Sequence, residues 1–154
     1  MLKEEQQKIF DRISNDRKGS SFVIIGKGGV GKTFLLKILE EHFRKDPGNK
    51  VIFINLEQFA AVDFKEGLQP FLARELGVEN SFDAIRYFLE KNGHNVIIFM
   101  DELNQLDKKY EGFFRSFTQG LGVRYVTAAR DISAMKDRGS VSEFTNVMVH
   151  IHLN

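Results

Sequence analysis

Hydrophobic residues fall along this chain in two alternating rhythms. Short runs free of charge, Phe22-Val23-Ile24-Ile25 and Val96-Ile97-Ile98-Phe99-Met100, read as strands buried on both faces. Elsewhere apolar positions recur every three or four residues, the spacing of helices that lay one side on a core. The first such helix spans residues 2–14, with Leu2, Ile9, Phe10 and Ile13 on one face. Another follows the first strand and carries Phe34, Leu35, Ile38, Leu39, His42 and Phe43, until Pro47-Gly48-Asn49 stops it. Residues 51–56 form the second strand. Helices at 63–76 and 81–93, closed by Gly77 and Gly93, lead to the third strand at 96–100. A helix at 108–121 presents Phe113, Phe114, Phe117 and Leu121, Gly122 breaks it, and a fourth strand covers 123–128. A short helix at 132–138 leads to a fifth strand at 147–153. Strand and helix alternate throughout, so the pattern predicts an α/β fold with a parallel sheet between two helical layers.

Composition narrows the picture. A chain of 154 residues, 42% hydrophobic and 28% charged, holds material for one core. We therefore expect a single domain, with residues 1–19 as helix and linker, 20–154 as the core, and no lid or winged-helix domain. Absence of Cys excludes a disulfide framework and a thiolate metal site. The four His show no metal-ligand spacing beyond His150 and His152, which share one face of a strand, and no metal is assigned to them. No apolar run reaches membrane-spanning length, and the opening MLKEEQQKIF is acidic where a signal peptide is apolar. The expected setting is cytoplasmic, with no membrane partner. With 22 basic and 21 acidic residues the overall field is weak, so net charge does not indicate nucleic acid, which would need a local basic patch.

The chemistry begins after the first strand. Gly26-Lys27-Gly28-Gly29-Val30-Gly31-Lys32-Thr33 is a full G-x-x-x-x-G-K-[ST] phosphate loop between strand and helix, the context that motif requires. Its glycines let backbone N–H groups converge on a phosphate, and the following helix adds its positive end. Gly26 through Thr33, together with Phe34, are the expected nucleotide contacts. Lys32 is expected to neutralise β/γ-phosphate charge, and Thr33 to offer its hydroxyl to Mg²⁺. Asp101 and Glu102 end the third strand on the edge where ligands sit in open α/β folds. Asp101 suits a Mg²⁺ ligand and Glu102 a general base for an attacking water. On its own such a pair is also a common acidic turn.

Five further residues are candidates. Thr127 and Arg130, at the end of the fourth strand, would emerge near the γ-phosphate if that strand lies beside the first; Arg130 would then stabilise transferred charge. A surface ion pair with Asp131 is the other reading of Arg130. Asn55 either bonds Glu102 or satisfies a local turn. Arg138 either reaches a neighbouring subunit's nucleotide or is solvated, and Gln6 either meets adenine or lies on an exposed helical face.

The segments VIIGKGGVGKTFLL, NVIIFMDELNQL and GVRYVTAARDISAM resemble the core of the additional-strand, catalytic-glutamate P-loop NTPases. Within that group the pattern is similar to the signal-transduction ATPases with numerous domains, which include the NB-ARC proteins. Thr127 and Arg130 there match a Thr-Thr-Arg strand in which Ala128 replaces the second Thr. The resemblance implies a three-layer α/β/α sandwich with strand order 5-1-4-3-2. Residues 4–11, EEQQKIFD, are similar to the opening of Pif1-like DNA helicases, although no second motor domain and no Gly-Asp-x-x-Gln segment follow. The partition and septum-site ATPases share the loop from Lys27 to Thr33, with Lys27 as their signature lysine, but place Asp after the second strand, where Asn55-Leu56-Glu57-Gln58 stands here.

These readings converge on a domain that binds ATP with Mg²⁺ and hydrolyses it slowly through Glu102, Lys32 and Arg130, with Thr33 and Asp101 on the metal. The alternatives are a nucleotide-binding scaffold without useful turnover, and a DNA-associated motor, loader or partition-type ATPase. The nucleotide is the expected ligand; a protein partner or self-association stays open.

Overall fold

The charge-free runs become the middle of the sheet. In a computed structural model that describes residues 1–60, 62–106, 108–118, 121–130 and 144–154, β1 (Phe22–Ile25) and β3 (Val96–Asp101) are buried at every position. With β2 (Lys50–Asn55), β4 (Arg124–Ala129) and β5 (Val149–His152) they form one sheet in the order β2-β3-β4-β1-β5. Every pairing is parallel. This is the expected α/β class, and read from the other edge it is the order 5-1-4-3-2. Phe22 of β1 stands level with Val126 of β4 and Val149 of β5, so the first strand is held on both sides.

Side chains alternate across a strand, so each strand feeds two cores. Phe22, Ile24, Phe99 and Val126 pack beneath α1 (Glu4–Ser14) and α2 (Lys32–Arg44), which contribute Ile9, Ile13, Leu35, Leu36, Leu39 and Phe43. On the other face Val23, Ile25, Ile98, Met100 and Tyr125 meet α3 (Leu68–Leu76), α4 (Phe82–Asn92) and α5 (Lys108–Thr118) through Leu72, Ile85, Leu89 and Phe114. Three layers result.

Several element ends differ from the expectation. The helix placed at 63–76 begins only at Leu68, because the Asp63 carbonyl takes the N–H groups of both Glu66 and Gly67 and closes a tight turn first. The second strand stops at Asn55, whose side chain accepts from Glu57 N and opens a 3₁₀ turn over Leu56–Phe59. The fifth strand is shorter than 147–153, since Met148 N donates to Thr145 O in a turn ahead of Val149. Phe34 and His42 lie outside the buried stripe of α2, at the margins of the face centred on Leu35, Leu36, Leu39 and Phe43. The helix expected at 132–138 and the Phe117 side chain lie outside the described residues. Among the described residues no helix is long and apolar enough to cross a membrane.

Phe99 sits fully buried between the rings of Phe43, 6.1 Å away, and Phe53, 6.2 Å away. Replacing it with Ala leaves a cavity the surrounding strands cannot fill, and should cost about 3–5 kcal/mol of stability. The check is a lower denaturant midpoint with an unchanged slope.

Candidate functional site

Parallel pairing puts the carboxyl ends of all five strands on one edge, and the candidate residues gather there. Gly26 N donates to Ala129 O at 3.1 Å, so the loop leaves β1 tied to the end of β4. A side chain at Gly26 would collide with the Leu153 carbonyl. At Gly31 the chain turns left-handed, with φ 92° and ψ 21°, and a Cβ would strike the Gln6 amide. Only glycine meets both demands. Lys32 then starts α2, whose N-terminus carries no side-chain cap, so its first N–H groups remain available to an anion.

A cavity of about 310 Å³ opens between this loop and the ends of β3 and β4. Gly28, Gly29, Gly31, Lys32, Thr33 and Phe34 line one wall; Asp101, Glu102, Asn104, Ala128, Ala129 and Arg130 line the other. Phe34, 45% exposed, is therefore a wall residue instead of a core one. Gly26 and Lys27 line a neighbouring cavity of about 470 Å³ with Gly28, Arg130, His152 and Asn154. Val30 lines neither, and packs against the core beneath α1 and α2.

Within the cavity most polar groups are already paired. The buried Lys32 donates from Nζ to Gly26 O at 2.6 Å and Lys27 O at 2.8 Å, pinning the loop to its own lysine. Desolvation pushes the Lys32 ammonium below its ordinary value; Glu102 and Asp101 oppose that shift, and Arg130 adds to it. Thr33 Oγ1 donates to Asp101 Oδ2 at 2.6 Å, joining α2 to the end of β3. The other oxygen of Asp101 accepts from Glu102 N at 2.9 Å. Glu102 itself is held at φ 57° and ψ 48°, and among the described residues it alone has a positive φ without being glycine. That conformation costs about 1–2 kcal/mol. Its carboxylate faces Arg130, with Nε 3.4 Å from Oε2 and Nη2 3.5 Å from Oε1. Arg130 is 61% exposed, so the pair contributes little to stability.

Other candidates sit elsewhere. Thr127 is fully buried, and its hydroxyl donates to Phe22 O at 3.0 Å, so alternation along β4 sends Thr127 into the sheet and only Arg130 into the site. Asn55 caps its own turn through Glu57 N; it stands level with Asp101 in the sheet without a hydrogen bond to Glu102. Gln6 does not lie on an exposed face. It is 5% exposed, its Oε1 accepts from Lys3 N at 2.9 Å, and its Nε2 donates to Gly31 O at 3.4 Å, which ties α1 to the loop. Arg138 and Asp131 lie outside the described residues. Three wall residues, Ala128, Ala129 and Asn104, were not among the expected contacts. Asn104, two positions after Glu102, has a buried Oδ1 with no hydrogen-bond partner, an arrangement that costs about 1–3 kcal/mol. No local pattern signalled it, because the left-handed step at Glu102 sets the direction of the turn that carries it.

A parallel five-stranded sheet with a G-x-x-x-x-G-K-T loop after its first strand and an acidic end on β3 defines a P-loop NTPase fold. The profile of the PIF1-like helicase family matches residues 1–95, more than half of the chain, and the chain belongs to that family. Solved structures agree on the fold. AMPPCP-bound DnaA from Aquifex aeolicus is similar over 100% of this chain and 49% of its own, with TM-score 0.63 and 19% identity. Cdc6p from Pyrobaculum aerophilum covers 95% and 43%, with TM-score 0.63 and 14% identity. The Pif1 helicase from Candida albicans covers 99% and 40%, with TM-score 0.61 and 16% identity. The chain thus spans under half the length of each of these three solved relatives. Among curated proteins no sequence matches it. The family is the one suggested by residues 4–11; the match gives no support to the signal-transduction subgroup.

Lys32→Ala removes the cation at the loop and releases the two carbonyls it holds. A nucleotide should then bind at least tenfold more weakly, about 1.4 kcal/mol, with little loss of fold stability. Titration calorimetry with an ATP analogue checks this, and unchanged affinity would sink the phosphate-loop assignment.

Proposed function

We propose that this chain binds ATP together with Mg²⁺ and hydrolyses it to ADP and phosphate, as the nucleotide-binding part of a PIF1-like helicase. The observation that carries the reading is the convergence of Lys32, the Thr33–Asp101 pair and the Glu102–Arg130 pair on one cavity at the phosphate loop. The family profile ends before Asp101, so the hydrolytic assignment rests on that convergence. Loop N–H groups and Lys32 bind the phosphates and hold the β-phosphate in place. Thr33 and Asp101 are hard oxygen donors already in contact, which suits Mg²⁺, an ion that takes few protein ligands and keeps phosphate and water for the rest. An ion held by these two residues would supply charge neutralisation to the phosphates. Glu102 accepts a proton from the attacking water, and Arg130 leaves it to meet charge on the γ-phosphate.

This reading takes the family placement over the signal-transduction resemblance. Coupling to DNA is a second reading, favoured by the same placement. Turnover that rises on adding single-stranded DNA at moderate salt supports it; turnover indifferent to DNA leaves a basal ATPase.

Glu102→Gln keeps shape and hydrogen bonding but cannot take the proton. ATP binding should persist while steady-state phosphate release falls at least a hundredfold, the range of a lost general base. Wild-type turnover in this variant would remove Glu102 from the mechanism.

Arg130→Ala tests whether the site is complete within one chain. Hydrolysis should slow at every protein concentration, and wild-type specific activity should not change on dilution. The opposite pattern, activity rising with concentration and restored by mixing Arg138→Ala with Lys32→Ala protein, would place the stabilising arginine in trans at Arg138.

A further inference from the structure

Among the described residues lining the phosphate cavity, Asn104 is distinguished by a buried side-chain oxygen without a hydrogen-bond partner. Its backbone is fixed. Gln105 N donates to Glu102 O at 2.8 Å and Leu106 N to Leu103 O at 2.9 Å, closing the 3₁₀ turn Leu103–Gln105. Leu103 and Leu106, 0% and 1% exposed, anchor that turn in the core beneath α3 to α5. Glu102, held left-handed, begins the turn, so Glu102 and Asn104 sit on one short rigid frame.

A buried acceptor left unpaired is unfavourable unless a donor arrives in the working state. The chemistry proposed for this cavity brings one. An attacking water has two hydrogens, and a single base can take only one of them. With one contact the water pivots; with two its lone pair can be aimed along the line of displacement.

We infer that Asn104 orients the attacking water, its amide oxygen holding the hydrogen that Glu102 does not take. The inference rests on the ATPase reading above. As the water oxygen bonds to the γ-phosphorus, the bond from that phosphorus to the β,γ-bridging oxygen breaks and ADP leaves with its electron pair. One water proton passes to Glu102, and the other stays on the new phosphate oxygen against Asn104 Oδ1.

The test compares wild type with Asn104→Leu, which keeps the bulk and removes the acceptor, and Asn104→Asp, which keeps an oxygen in the same place. Three quantities are read: melting temperature without nucleotide, the dissociation constant for a non-hydrolysable ATP analogue with Mg²⁺, and kcat. The Leu variant should melt at or above the wild-type temperature, because an unpaired acceptor has been deleted. It should bind the analogue within about twofold of wild type and lose tenfold or more in kcat, while the Asp variant stays within about threefold. A purely structural Asn104 would lower melting and spare kcat in whatever remains folded, which would overturn the inference. So would a Leu variant with wild-type kcat, or an Asp variant as slow as Leu. If wild type itself neither binds nor hydrolyses ATP, the ATPase reading fails and this one with it; if wild type turns over and Leu matches it, only the role of Asn104 is lost.

Discussion

Parallel pairing of all five strands is the constraint from which the site follows. In a parallel sheet every strand delivers its carboxyl end to the same edge, and every return crossing runs behind it. Residues as far apart as Thr33 and Asp101 therefore finish 2.6 Å apart, although 68 positions separate them. Neither helix nor turn chemistry could bring them together, because both act over a few residues. The order β2-β3-β4-β1-β5 adds the rest. With β4 between β1 and β3, Arg130 just past its end faces Glu102 just past the end of β3, while the phosphate loop rises from β1 on the other side.

That order also explains how the loop is held. Gly26 is bonded to Ala129 and pressed against Leu153, so both neighbours of β1 restrict the first loop residue. Gln6 on α1 restricts the far side of the loop, through Gly31. Lys32, one residue on, closes the loop onto the carbonyls of Gly26 and Lys27. A loop rich in glycine would otherwise lose much backbone entropy on binding a ligand. Here Gly26, Gly31 and Lys32 are already held in the folded chain.

The sequence made the alternating strands and helices and the loop legible because each depends on a repeating or local pattern: charge-free runs, a 3.6-residue period, and a motif with its own context; the strand order came only through the family resemblance. Asp101 and Glu102 were legible for the same reason, at the end of an unbroken strand. What escaped was side-chain direction. Thr127 and Arg130 lie an odd number of residues apart, so alternation sends one to the core and the other to the cavity. Gln6 reads as a surface residue from its polarity, although its spacing sets it on the stripe of Leu2, Ile9 and Ile13, and the packing of α1 beside Gly31 buries it. Asn104 needed the left-handed step at Glu102, which no propensity favours. Element ends at 63–67 and 147–148 moved because single carbonyl contacts closed turns there, a choice that apolar spacing does not encode.

The resting arrangement bears on selectivity. Lys32, Thr33, Asp101, Glu102 and Arg130 all have partners within the chain, so a ligand must exchange existing contacts for better ones. For neutral groups that exchange is nearly even, since one hydrogen bond replaces another. For an anion it is not. Lys32, partly stripped of water, gains more from a phosphate than from two carbonyl dipoles, and the half-exposed Arg130 loses little on leaving Glu102. Phosphate charge is therefore the property this cavity rewards. A ligand whose last phosphate stops short of Arg130 would leave the Glu102–Arg130 pair closed and the carboxylate occupied, whereas one that reaches it would release the carboxylate. The same two side chains would then separate a nucleotide that can be hydrolysed from one that has already been.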